Sequence, residues 1–391
     1  TVSGNNIYDY FFATASTSGM NINSFNSGWT ITNNKLYQTA NRIYTSANTH
    51  YGIFISSGAG YTITGNVIGY ANSGGTGSTN MIGLTSGSLG GTFPSSYTAG
   101  GTANATRYVG ISCAFLNGGA ASSIQNNTIA GFALYTSSGA GTTNGILCGI
   151  AVTSGTANIG TVTGNNINTM YSATTTTGGM IAGIYTSSTT GNSINIQNNS
   201  IGALDAMGTT ASISGSINGI NTAGTLVNYN ISNNTIGNTT NPNLRMGNLT
   251  ESGNLSNTGS TFSAATGLSG FRGILNSANG TVTIGPNTIR NASQNSTATT
   301  TTIRGIEQTA STTTGAGILT ISNNTIQNLT SASTNASLSV FSNYTAGSGI
   351  VLNGSLANAI VTLNTISAIS LTNTTTAGTS VAGIAVGQAN N

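Results

Sequence analysis

The sequence predicts an all-β fold, a parallel β-helix solenoid of about ten coils, from two repeated phrases and the distances between them. The first phrase, as in 321–326, reads Ile or Val, any residue, usually Asn or Gly, then Asn, any residue, and Ile or Leu. Its fourth position is filled by Asn5, Asn34, Asn66, Asn127, Asn165, Asn199, Asn234, Asn287, Asn324 and Asn364. The second phrase is glycine followed by an apolar residue, at Gly19, Gly52, Gly110, Gly149, Gly183, Gly219, Gly273, Gly305, Gly349 and Gly383. The two phrases alternate from one end of the chain to the other.

The spacing between the phrases indicates how a coil is built. The step from each glycine to the next asparagine is 14 to 19 residues, whereas the step from asparagine to glycine varies from 14 to 44. One part of the coil is therefore nearly constant and the other part accepts insertions, as surface loops do. The largest insertions are residues 71–108 and 237–271, and both should leave the rod on the same side.

The local pattern favours strands over helices. The phrases are rich in Ile, Val and Thr and alternate apolar with polar residues, and Asn, Gly, Ser and Thr punctuate the gaps. Helix-favouring residues are mostly scarce, and no stretch carries a sustained helical period. Short strands that cannot bury an apolar face alone must stack on the next coil.

The repeated asparagine has a predicted structural role at a corner of each coil. Its amide can donate to the equivalent amide of one neighbouring coil and accept from the other, which satisfies buried polar groups along the axis. Asparagine also tolerates the left-handed backbone conformation that a sharp bend requires. We therefore predict an asparagine ladder.

These phrases resemble the coils of right-handed parallel β-helix proteins, the pectate-lyase-like fold, with its stacked isoleucines and asparagine ladder. The resemblance covers nearly the whole chain and implies the fold, but this fold serves polysaccharide lyases, tailspikes and adhesins alike. The Ser, Thr, Asn and Gly bias is similar to that of large secreted surface proteins of Gram-negative bacteria. That second resemblance implies an extracellular location at a bacterial cell surface.

The composition excludes several classes of function. Charged residues make up 3% of the 391 residues, and the net charge of +3 is too small for nucleic-acid binding. The sequence has no apolar run long enough to span a membrane. The chain reads as a single solenoid over 1–391, and because both ends fall within phrases we expect it to be an excerpt of a longer array.

The two cysteines occur in phrases that look alike, 110–113 and 145–148. This alignment predicts that Cys113 and Cys148 point inward on successive coils, one above the other. A pair of buried thiols and a disulfide between the coils both fit that arrangement. The spacing fits no zinc site, and His50 is the only histidine.

Residues that could carry catalysis are few and widely separated. Asp9, Asp205, Glu251 and Glu307 lie whole coils apart, so we predict no pair of carboxylates at catalytic distance. A Ser-His-Asp arrangement would need His50 with Asp9, and we do not expect one. We predict no catalytic residue, no cofactor and no metal site.

Two groups of side chains are candidates for glycan contact. Arg272 and Arg304 precede the glycines of consecutive coils, with Arg290 and Glu307 nearby; this cluster is either a surface salt-bridge patch or a contact for an anion or acidic sugar. The aromatic residues concentrated in 1–70, with Trp29 and Tyr37 among them, either seal turns or stack on sugar rings.

Three function classes follow. The first is a non-enzymatic structural or adhesive shaft of a secreted surface protein or filament, with neighbouring repeats or copies of the chain as partners. The second is a carbohydrate-binding or polysaccharide-cleaving β-helix. The third is ice binding, which requires a flat Thr-x-Thr face in register, whereas the threonines drift between coils.

Overall fold

The chain is a parallel β-helix built from three long sheets. The computed structural model describes residues 1–24, 26–139, 144–239, 243–248, 269–298, 301–310, 317–334, 346–354, 358–372 and 380–387. Those residues form strands and connections and contain no helix. The fold predicted from the repeats is thereby confirmed.

The sheets, here called A, B and C, each run the length of the stack. Sheet A consists of β1 (Val2–Ser3), β4 (Thr30–Thr32), β8 (Thr62–Thr64), β15 (Ser122–Gln125), β18 (Ala157–Ile159), β21 (Ser193–Gln197), β25 (Asn228–Ser232), β29 (Val282–Ile284), β32 (Leu319–Ser322) and β35 (Ala359–Thr362). Sheet C consists of β3 (Ser18–Ile22), β7 (Thr49–Ile55), β14 (Arg107–Ala114), β17 (Leu147–Ser154), β20 (Met180–Ser188), β24 (Ser216–Gly224), β28 (Gly270–Ala278), β31 (Thr302–Gln308), β34 (Gly347–Leu352) and β37 (Val381–Val386).

Among the described residues, sheet B contains fifteen strands, more than sheets A and C, because several coils contribute more than one strand to it. It consists of β2 (Asn6–Tyr8), β5 (Lys35–Tyr37), β6 (Arg42–Tyr44), β9 (Val67–Gly69), β10 (Thr79–Ser86), β13 (Thr102–Ala103), β16 (Thr128–Thr136), β19 (Asn166–Thr174), β22 (Ser200–Ile201), β23 (Leu204–Gly208), β26 (Thr235–Ile236), β27 (Leu244–Asn248), β30 (Thr288–Gln294), β33 (Thr325–Ser331) and β36 (Thr365–Leu371). A separate hairpin is formed by β11 (Gly90–Thr92) and β12 (Ser96–Thr98).

Each coil runs through sheet A, then B, then C, and the ten strands of A and of C count ten coils. Pairs within A and C are all parallel, so each strand pairs with its equivalent in the next coil. At about 4.8 Å per coil, ten coils extend for about 50 Å. The constant part of the repeat is the path from C to A, and the variable part is the path from B to C.

The core is a set of apolar columns that run along the axis. In sheet A, Ile31 pairs with Ile63 and Ile63 with Ile124, and the same column continues through Ile159, Ile196, Ile231, Ile284 and Ile321. Each of these isoleucines is 0% exposed. Complete burial of one such side chain contributes about 1.5–3 kcal/mol, so the columns explain why the coils stack.

The glycine of the second phrase lies at a position in sheet C that has no room for a side chain. A Cβ on Gly183 would lie 2.5 Å from the carbonyl oxygen of Gly219 and 2.7 Å from Cγ2 of Ile201 in sheet B. Gly219 has the same surroundings, with the Gly273 carbonyl oxygen at 2.5 Å. Glycine therefore recurs because sheets B and C approach too closely there for any side chain.

The first inserted segment adds to sheet B rather than standing clear of it. Its strand β10 pairs in parallel with β6 and β16, and includes the strand-like residues Ile82 to Leu84. Phe93 and Tyr97 of the hairpin pack on Tyr135 and Tyr171, which face outward from sheet B. The second insertion contributes β27 to the same sheet, but 240–242 and 249–268, with Glu251, lie outside the described residues.

Candidate functional site

The asparagine ladder is continuous along the described coils. Nδ2 of each ladder asparagine donates to Oδ1 of the next, in nine steps of 2.8–3.0 Å from Asn5 to Asn364. The same Oδ1 atoms also accept backbone N–H groups, as Asn165 does from Asn127 at 3.0 Å. A second Nδ2 hydrogen goes to a backbone carbonyl, for example from Asn165 to Ile124 at 2.9 Å. The ladder thus satisfies amides that are almost completely buried.

At eight of the ten ladder positions a left-handed residue lies immediately before the asparagine, and the two exceptions follow Gly164 and Pro286. Our prediction that the ladder residue itself adopts that conformation is therefore wrong. None of the ten has a positive φ, whereas Asn126 (52°), Asn198 (59°) and Asn233 (58°) do. The ladder residue must extend its side chain along the axis. The bend is made by its predecessor, usually Asn or Gly, which tolerates a positive φ.

The predicted charge cluster is present and forms salt bridges, as one alternative had it, but it is largely buried rather than exposed at the surface. Arg272 and Arg304 are partners in sheet C, and both bind Glu307, with Nε of Arg272 at 2.6 Å from Oε2. Glu307 is 3% exposed, and the side chains of Arg304 and Arg272 are 6% and 29% exposed. Arg290 lies in sheet B instead, where its Nε donates to the Gly237 carbonyl oxygen.

The other described carboxylates are also paired with arginines. Asp205 lies on the outer face of sheet B beside Arg245, whose Nε and Nη2 donate to its two oxygens at 2.8 and 2.5 Å. Asp9 binds Arg42 and Thr39 at a half-exposed position. Burial opposes ionisation of Asp9, but hydrogen bonds from Thr39 and Arg42 lower its pKa. No two of the carboxylates described here share a site.

His50 is a core residue and has no carboxylate partner. Its Nδ1 accepts the backbone N–H of Thr17 at 3.2 Å, which places the proton of the neutral ring on Nε2. Nε2 is buried and has no hydrogen-bond partner, and the centroid of the His50 ring lies 3.9 Å from that of the Tyr44 ring. Burial lowers the pKa of His50 to about 4. Asp9 binds Arg42 and Thr39 instead.

The two cysteines lie on opposite faces of sheet C, so the predicted inward stack is wrong. Cys148 pairs with Val109 and packs in an outer cluster, whereas Cys113 pairs with Val152 and lies in the main core. The equivalent of Gly110 is Gly149, not Gly145, so Cys148 precedes the repeated glycine and Cys113 follows it. Alternation is interrupted at this glycine, because Leu147 and Ile150 are three residues apart and both lie in the main core. Both thiols are free and buried, and burial raises the pKa of Cys148 to about 12.

The candidate aromatic residues have different surroundings. Trp29 is 37% exposed and lines a cavity of about 350 Å³ with Val2 and Met20. Tyr37 is 9% exposed and stacks on Tyr8 with ring centroids 5.3 Å apart, so little of its ring is available to a sugar.

Sequence reasoning missed one polar group on the outer face of sheet C. Asn218 pairs in register with Arg272, is 3% exposed, and its Oδ1 has no hydrogen-bond partner. Only its position one residue before the glycine phrase, equivalent to that of Arg272, could have indicated it.

Comparisons with known proteins give no relative: no family model matches the chain, and neither a curated protein nor a solved structure matches it significantly. In the described part of the chain, no helix is long and apolar enough to cross a membrane. The same residues contain no group of three His, Cys, Asp or Glu side chains that could hold a metal ion.

Proposed function

We propose that this protein is a non-enzymatic structural or adhesive shaft of a secreted protein or filament at a bacterial cell surface. The observation that carries the proposal is the nine-step asparagine ladder, which joins ten coils into one rod. A shaft needs a stiff axis whose length is set by the number of repeats, and stacked coils provide this. Its partners are neighbouring repeats or copies of the same chain.

The chemistry of the described side chains supports a structural role. General acid–base catalysis of glycoside cleavage uses two carboxylates within roughly 5–10 Å of each other. Here Asp9, Asp205 and Glu307 lie on three different coils, and each of them binds arginine. A carboxylate held in this way stabilises the coil that carries it and is not available to accept a proton from substrate.

Excision of one whole coil tests the shaft. Deletion of 287–323 would join Asn234 to Asn324 in the ladder, and we expect a folded rod shortened by about 4.8 Å in small-angle scattering. A deletion of 287–305, which ends within sheet C, serves as the control and should not fold. The purified protein should also release no product from neutral or acidic polysaccharides. Measurable turnover of any polysaccharide, or failure of the in-register deletion to fold, contradicts the proposal.

A second candidate function is glycan binding on the outer face of sheet C. The specific observation is Arg272, whose side chain is 29% exposed on that face beside Glu307. A sugar carboxylate could accept from its guanidinium. Asn218, Arg304 and Tyr37 are too buried to contribute much.

A glycan array tests this candidate. Binding that is lost in Arg272→Ala, and kept in Arg290→Ala on sheet B, would support it. Loss in Trp29→Ala, or after trimming of 71–108, would instead place the contact at the first coils or at the insertion. Equal loss in both arginine variants, or no binding by the unmodified protein, would argue against this site.

A further inference from the structure

The outer face of sheet A carries a straight column of small uncharged polar side chains. Successive coils place one outward residue in register, and eight such residues follow one another: Thr30, Thr62, Ser123, Asn158, Asn195, Asn230, Thr283 and Thr320. All eight are partly exposed. Threonine recurs irregularly in the sequence because serine or asparagine occupies the equivalent position in some coils.

A second column flanks the first on part of the face. Thr32 and Thr64 pair with each other, so two adjacent coils present Thr-Ile-Thr with both threonines outward and the isoleucine in the core. Such a face repeats at about 4.8 Å along the axis and about 6.6 Å between alternate residues of a strand. Its donors and acceptors therefore lie on a regular two-dimensional grid.

The face is also held rigid. No pair in sheet A has a bulge or a change of register. Nδ2 of Asn195 donates to Oδ1 of Asn158 at 2.7 Å, which fixes these amides across two coils. The buried ladder runs along the corner between A and B, and side-chain ladders of this kind stabilise flat sheets of many strands.

The chemistry of the face limits what can bind it. None of the ten strands of sheet A contains a charged residue. Their single aromatic residue, Tyr229, is 3% exposed and packs in the core. A sugar polymer would lack rings to stack on, and a charged polymer would lack counter-charges. Hydroxyls and amides on a fixed grid instead offer alternating donors and acceptors to ordered water.

We propose that the outer face of sheet A binds ice. An ice surface is an uncharged lattice of hydrogen-bond donors and acceptors, so a face that binds it must be flat, rigid, repetitive and free of the strong hydration that charged groups impose. The column in register, the pairing without bulges and the absence of charged residues from the ten strands provide the repetition, the rigidity and the weak hydration. This inference concerns a different face from sheet C and does not depend on the shaft.

Ice recrystallisation and thermal hysteresis of the full 391-residue chain test the proposal. Asn195→Lys places a long charged side chain at the centre of the column. Ser200→Lys is the matched control, because Ser200 lies in the same coil but is exposed on sheet B. We expect the unmodified chain and the control to inhibit recrystallisation equally, and Asn195→Lys to lose most of this activity.

A second variant guards against misfolding. Thr62→Lys lies in the same column three coils away and should lose activity in the same way. Thermal melting checks that each variant is folded. The proposal is overturned if the unmodified chain has no effect on ice, or if both face variants retain it. It is also overturned if the control loses as much, or if Asn195→Lys only abolishes self-association in sedimentation without any effect on ice.

Discussion

Asn127 and Asn165, 38 residues apart, are joined by two hydrogen bonds: Nδ2 of Asn127 donates to Oδ1 of Asn165 at 2.9 Å, and so does its backbone N–H at 3.0 Å. One side-chain oxygen thus fixes both the side chain and the main chain of the preceding coil. Asn165 in turn donates to Asn199 at 2.9 Å. Because both asparagines are at most 1% exposed, water cannot replace either partner.

Replacement of one ladder residue should therefore cost more than the loss of one hydrogen bond. Asn165→Ala leaves the buried backbone N–H of Asn127 without its acceptor, at about 1–3 kcal/mol for an unsatisfied group. It also removes one of the three acceptors around Nδ2 of Asn127 and the donor to Oδ1 of Asn199. We expect a loss of stability of about 2–5 kcal/mol in urea unfolding. Asn166→Ala, at an exposed position next to it, should change stability by less than about 0.5 kcal/mol. Similar losses of stability in the two variants would show that a ladder asparagine contributes no more than an exposed one.

The glycine column gives a second prediction. Gly183→Ala would introduce a Cβ 2.5 Å from the carbonyl oxygen of Gly219 in the next coil of sheet C and 2.7 Å from Cγ2 of Ile201 in sheet B, so both neighbours must move to accept it. Overpacking of this kind costs about 1–3 kcal/mol. Gly383→Ala is the matched control in the same column, since a Cβ there meets nothing within 4 Å. Denaturant midpoints compare the two, and an unchanged midpoint for Gly183→Ala would contradict the close approach.

How far the sequence predicts this molecule depends on which contacts repeat. The ladder and the glycine column recur at every coil, so the sequence shows which residues lie above one another in successive coils. The faces of Cys113 and Cys148 could not be read in this way, because Gly145 resembles the repeated Gly149 and aligning it puts Cys148 after the glycine rather than before it. Alternation is interrupted at the repeated glycine, so two residues four apart on either side of it lie on opposite faces.

Burial of the outer faces could not be predicted from the period either. Arg304 and Glu307 each follow a core isoleucine, so both face away from the axis. Whether water reaches them depends on what packs on sheet C. The same holds for Tyr135 and Tyr171, which face outward and are buried under the β11–β12 hairpin. The inserted segments differ from coil to coil, so the repeat does not predict which outward residues they cover.

The buried arginine–carboxylate cluster gives a third prediction. Glu307→Gln removes the negative charge that both Arg272 and Arg304 bind, and leaves Arg304 charged at a nearly buried position. Breaking a buried ion pair by removal of one partner costs about 3–5 kcal/mol. Asp9→Asn, which breaks the more exposed pair with Arg42, should cost no more than about 1 kcal/mol. Unfolding in denaturant measures the stability of both variants. A smaller loss of stability for Glu307→Gln than for Asp9→Asn would show that the buried ion pairs of Glu307 do not stabilise the fold.

His50 predicts a dependence of stability on pH. Its pKa is lowered from 6.5 to about 4 by burial, so between these values the unfolded chain binds a proton that the native chain does not. Stability should therefore fall as the pH drops from 6.5 towards 4, by at most about 3 kcal/mol, and level off below. Asp9, whose pKa is lowered from 3.8, acts only at more acidic pH, so its contribution is separable.

The test compares the slope of unfolding free energy against pH in the unmodified chain and in His50→Leu. Leucine fills the apolar space beside Tyr44 but releases the N–H of Thr17, so absolute stability will change at every pH. The part of the slope between pH 6.5 and 4 that His50 contributes should nevertheless disappear, because the variant has no imidazole to titrate in that window. Persistence of the slope in His50→Leu would show that acid sensitivity arises elsewhere. Its disappearance would establish that the ring is neutral in the native coil, as the bond from Thr17 to Nδ1 requires.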